Sequence, residues 1–126
     1  MDKRSHEWLK QADYDIDTAE YMFAGGKFFY TVFMCHLSVE KAIKGFYQER
    51  LKETPPKTHN LVYLLKKIDI RPDEAAGKFI VKLNEASVVT RYPEDIEKLQ
   101  QQYTKDTTEN ILEESKKVLE WIKKLF

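Results

Sequence analysis

The chain has 126 residues, 42% hydrophobic and 33% charged, with 21 lysines and arginines balancing 21 aspartates and glutamates in both halves of the sequence. That length suits one domain over residues 1–126, which hides about two-thirds of its unfolded surface without staples. The composition excludes an internal disulfide (Cys35 is alone), a spanning helix and a signal peptide at Met1–Glu7, so a cytoplasmic setting is expected, and the balanced charge argues against a broad RNA-binding surface.

The first predicted helix covers residues 4–24. Leu9, Ala12, Ile16, Ala19 and Phe23 recur at three and four residues and so share a stripe. Gly25 suits its C-terminal stop. The second covers residues 27–52, with Phe28, Val32, Cys35, Val39, Ala42 and Phe46 on one stripe. Phe29, Phe33, Leu37, Ile43, Tyr47 and Leu51 cover much of the rest. A helix apolar on nearly every side is a central one.

Pro55 and Pro56 enforce a loop. Thr58 then reads as the N-cap of a short helix carrying Leu61, Leu64, Leu65 and Ile68. Asp73 reads as the cap of the next, with Ala76, Phe79, Ile80, Leu83 and Ala86 inward. Pro93 ends it near Thr90. Residues 94–105 are polar and read as a loop or frayed turn. A last helix over residues 106–126 carries Ile111, Val118, Ile122 and Leu125, with Glu113–Lys117 and Glu120–Lys124 as solvated i,i+4 pairs. No strand run or repeat appears. The expected fold is all-α: an antiparallel up-and-down bundle of four long helices and one short helix.

The informative polar residues lie where apolar ones are expected. His36, Glu40 and Lys44, spaced i, i+4 and i+8, share a face of the central helix, where an unpaired charge is costly. They form either a satisfied polar pair or a patch lining a cleft or interface. Asp13 and Asp17 flank the first helix's stripe and either stay solvated or face Lys41 or Lys44. His59 opens the short helix, where the dipole favours the neutral ring; it reads as a capping-region residue or as a base or nucleotide contact. Arg91-Tyr92-Pro93 is either a helix stop or a rigid site, with arginine for phosphate and tyrosine for stacking. The three histidines are far apart, and no E-x-x-H pair, P-loop or G-x-G-x-x-G exists, so no metal and no cofactor is expected. Cys35 reads as packing.

Four segments together resemble the HEPN domain family of nucleotide-binding helical proteins. They are Trp8-x3-Ala12-Asp13-x5-Ala19; Phe33-x2-His36-x2-Val39-Glu40-Lys41-Ala42-Ile43-Lys44; Pro56-x-Thr58-His59-Asn60-Leu61-x2-Leu64-Leu65; and Thr90-Arg91-Tyr92-Pro93. The resemblance implies a bundle that dimerises, often encoded beside a minimal nucleotidyltransferase in a toxin–antitoxin-like pair. Other relatives are ribonucleases that depend on R-x4–6-H. Here no histidine follows Arg91, eight residues separate Arg50 from His59, and one separates Arg4 from His6, so that motif is absent. Three readings stand. One is a non-catalytic homodimeric module that binds a nucleotide or a nucleotidyltransferase partner through Asp13, His36, Glu40, Lys41, Lys44, His59, Arg91 and Tyr92. The second is a ribonuclease toxin with a degenerate motif and His59 as base. The third is a structural bundle whose polar cluster only fixes dimer register.

Overall fold

The computed structural model describes residues 1–126 as six helices and no strand. They are α1 (Lys3–Ala24), α2 (Phe28–Leu51), α3 (Leu61–Lys67), α4 (Glu74–Arg91), α5 (Ile96–Gln102) and α6 (Lys105–Lys123). The four long helices fall where the apolar spacing puts them. No helix is long and apolar enough to cross a membrane.

Every helix start except that of α2 is set by a short side chain that accepts from an orphan backbone N–H group. Asp2 accepts from the Arg4 N–H at 2.7 Å, and Asp73 from that of Ala76 at 2.8 Å. Two starts differ from expectation. The cap of α3 is Asn60, whose Oδ1 accepts from the Tyr63 N–H at 3.1 Å; Thr58 instead accepts from the Asn60 N–H at 3.2 Å. Residues 94–105 are not a loop but contain α5. Asp95 caps it by accepting from Glu97 and Lys98, and Leu99 and Tyr103 are buried from an otherwise polar segment.

α2 packs against all five other helices, and its residues supply much of the core of 25 buried apolar side chains. α1 lies closest to it. Ser38 donates to the Ala12 carbonyl at 2.7 Å, and a Cβ on Gly45 would sit 3.0 Å from the Trp8 Cβ and 3.3 Å from the Ser5 carbonyl oxygen. A side chain at Gly45 would therefore push the two helices apart at this point.

The expected i,i+4 pairs on α6 do not form. The lysines reach back three residues instead: Lys116 to Glu113, Lys117 to Glu114 and Lys123 to Glu120. Lys116 and Lys123 also contact Glu20 and Asp13 on α1. Two lysines thus serve both their own helix and the neighbouring one.

Candidate functional site

The centre of the polar cluster is Glu40, 4% exposed on the middle of α2. A buried carboxylate must have its oxygens occupied, since an unpaired buried charge costs several kcal/mol. Both are. Lys44, one turn on, donates from Nζ to Oε2 at 3.0 Å. His59 brings its Nδ1 to Oε1 at 2.8 Å from the segment before α3. Helix geometry supplies the first partner and tertiary folding the second. Lys44 is itself nearly buried, with Nζ 5.9 Å from the Trp8 ring centroid, and the Trp8 indole N–H donates to Gln48 at 3.4 Å.

His36 completes the group from one turn before Glu40. It is fully buried, and its Nδ1 stands 3.8 Å from Glu40 Oε1, too far for a hydrogen bond. The Asn84 side chain and the His59 backbone approach the ring without closing a hydrogen bond of good geometry. Burial pushes its pKa down to about 4; Glu40 works against that shift and Arg91 with it. The ring is therefore neutral at neutral pH.

The segment carrying His59 is pinned to α4. Asn84 accepts from the Leu61 N–H at 2.8 Å through Oδ1 and donates to the Asn60 side chain at 3.1 Å through Nδ2. Arg91 closes the same side of the molecule at the end of α4. Its guanidinium lies 4.7 Å from the Phe33 ring centroid, forms no ion pair with any carboxylate, and leaves Nη2 without a partner. Tyr92, the C-cap, is 71% exposed.

The structure thus gathers His36, Glu40, Lys44 and His59 into one contact group with Arg91 beside it and Tyr92 on the adjoining surface. It separates two other candidates from that group. Asp13 pairs with Lys123 of α6, and Lys41 turns to α1, where its Nζ meets Asp15 Oδ2 at 2.8 Å. Asp17 is exposed and meets neither Lys41 nor Lys44. Three residues outside the candidate set matter here: Asn60, Asn84 and Phe33. Asn84 carried a signal, being a polar side chain one turn beyond Ile80 and beside Leu83 on the inward stripe.

What the group can do follows from these partners. Glu40 is fully engaged and is not a free base. His59 is 53% exposed and keeps Nε2 open. Arg91 is a cation lying over an aromatic ring with no carboxylate partner, a group suited to a planar or tetrahedral anion. His36, Glu40 and His59, though in contact, do not form a group that could hold a metal ion. Burial pushes the Cys35 thiol up to about 12, so it stays unreactive. The largest cavity, about 900 Å³ between α3 and the start of α4, contains none of these residues.

A helical bundle whose central helix holds a buried Glu–Lys pair, closed by a histidine from the following loop and an arginine at a Pro-stopped helix end, defines the class. The HEPN domain model matches residues 5–125, and the chain belongs to that family. Among solved structures, it is similar to TT1696 from Thermus thermophilus, with 20% identity, a TM-score of 0.81, and 99% of this chain and 100% of that one covered. It is similar too to ST0689, an archaeal HEPN homologue, with 23% identity, a TM-score of 0.77 and 98% of each chain covered. At these identities the likeness establishes the fold. A comparison with curated proteins finds no match.

Proposed function

We propose that this protein is a HEPN-type nucleotide-binding accessory module, acting as a homodimer beside a small nucleotidyltransferase in a toxin–antitoxin-like pair. Family membership supports the general assignment. The observation that carries the ligand class is Arg91: a guanidinium braced on Phe33, free of any carboxylate, close enough to His36 to act on its charge, and followed in the chain by exposed Tyr92. Arginine takes the phosphate, Tyr92 stacks on the base, and Glu40 orients its neighbours rather than the ligand. The chain's zero net charge means that affinity comes from these few groups.

Calorimetric titration with AMP tests this. Arg91→Ala should weaken binding about tenfold or more, the worth of a lost charge-assisted hydrogen bond. Unchanged affinity would remove Arg91 from the site. The partnership is tested separately by co-purification with a nucleotidyltransferase encoded beside this chain, and the dimer by sedimentation.

A second reading is favoured by one contact. A histidine whose Nδ1 sits 2.8 Å from a buried carboxylate has the arrangement of an oriented general base. Should the protein be a ribonuclease despite lacking R-x4–6-H, purified protein will cleave cellular RNA and His59→Ala will not. Equal cleavage by both, or none by either, rules this reading out.

A further inference from the structure

His59 has two faces, and only one is open. Nδ1 lies 2.8 Å from Glu40 Oε1, and a carboxylate accepts hydrogen bonds but cannot donate them, so the proton between them sits on Nδ1. Nε2 has no partner within the chain and is not enclosed, and the side chain is 53% exposed. A free neutral imidazole in water prefers the other tautomer, with its proton on Nε2, so something in the fold has reversed the preference. The carboxylate is well placed to do so. Its second oxygen is held by Lys44 at 3.0 Å, its side chain is 4% exposed, and Asn84 anchors the residues that follow His59 to α4.

We infer that Glu40 is a positioning residue that fixes His59 in the Nδ1–H tautomer and so presents Nε2 outward as a hydrogen-bond acceptor. The open end of the site then asks its ligand for a donor. With Arg91 taking an anion beside it, the matching ligand carries an anionic group together with a hydroxyl or amino hydrogen for His59 Nε2. A nucleotide supplies such a hydrogen from its ribose or from the exocyclic amine of its base; inorganic phosphate supplies the anion alone. The ligand half of this inference rests on the nucleotide reading proposed above; the tautomer half does not.

The tautomer is read directly from long-range nitrogen–proton correlations of the His59 ring, recorded well above the usual histidine pKa range. In the wild-type protein the proton is expected on Nδ1; a proton on Nε2 would overturn the inference without any mutant. In the double variant Glu40→Leu/Lys44→Met, which removes both buried charges together and keeps apolar bulk, the proton is expected to return to Nε2 while circular dichroism stays helical. Glu40→Gln serves as the near-isosteric second variant: Lys44 can pair only with the amide oxygen, which turns the amide N–H toward His59 Nδ1 as a donor and should shift the tautomer population in the same direction. An unchanged Nδ1–H signal in either folded variant would overturn the role given to Glu40.

The ligand half is tested by titrating the full-length protein with AMP, 2′,3′-dideoxy-AMP, IMP and inorganic phosphate. Loss of the recognised donor should weaken binding about tenfold or more, for dideoxy-AMP if the ribose supplies it and for IMP if the base amine does, since a site built for a donor is left unpaired without one. That gap should narrow in a folded Glu40 variant. Equal affinities for AMP, dideoxy-AMP and IMP would overturn the donor requirement. Absence of binding by all of them would overturn the nucleotide reading and leave the tautomer half to be judged on its own spectrum.

Discussion

His36 is fully buried, with both ring nitrogens unpartnered and Glu40, Arg91 and Asn84 around it. Such a group has a pH signature. In the unfolded chain the ring takes its proton near 6.5, and in the folded chain only near 4, chiefly because burial disfavours the charged form. Between those values the unfolded state binds more protons, so this residue's contribution is fully present above about pH 6.5 and is lost as the pH falls toward 4. The loss amounts to about 3 kcal/mol. Urea unfolding of wild type and His36→Leu checks it. Relative to the variant, the wild type should lose about that much stability between neutral pH and the folded-state value. A wild-type-to-variant difference that stays constant with pH would contradict the burial of a neutral ring. The cluster was half legible in the sequence at this scale. Helix spacing forces His36, Glu40 and Lys44 onto one face, but the His59 contact spans 19 residues and a proline loop, and no local rule reports it. The partner of Asp13 is hidden for the same reason: Lys123 lies on the last helix, far along the chain.

At the scale of elements, α5 shows what periodicity misses. Its seven residues include two apolar ones, Ile96 and Leu99, too few to declare a stripe, and Ile96 is exposed. What makes the helix is a cap and one anchor: Asp95 accepts from two backbone N–H groups, and Leu99 buries itself in the core with Tyr103 just beyond. Asp95→Ala should cost about 1 kcal/mol and Leu99→Ala about 2–4 kcal/mol in chemical denaturation. A Leu99→Ala cost below that of the cap variant would mean that α5 is not anchored as described. The cap of α3 teaches the converse lesson. Thr58 and Asn60 are both good capping residues, and their spacing alone does not choose between them. Asn84 on α4, which donates to the Asn60 side chain and accepts from the Leu61 N–H, belongs to the packing that fixes Asn60 in the cap. The long helices needed no such arbitration, since each carries enough apolar repeats to be read from periodicity.

For the whole molecule, the bundle's contribution is to bring three distant stretches to one place: the middle of α2, the loop before α3 and the end of α4. The charge balance of the chain puts the weight on that convergence, because no general positive field exists to attract a polyanion. In the proposed reading, recognition depends on Arg91 braced by Phe33 and on His59 braced by Glu40, with Tyr92 exposed on the adjoining surface. The most direct test is a map of backbone amide and histidine-ring chemical shifts during titration with AMP. Saturable shifts are expected to concentrate at Phe33, His59, Asn60, Asn84, Arg91 and Tyr92. Shifts concentrated instead around Leu65, Ile70 and Gly77, which line the separate cavity between α3 and α4, would contradict this reading, as would the absence of any saturable change.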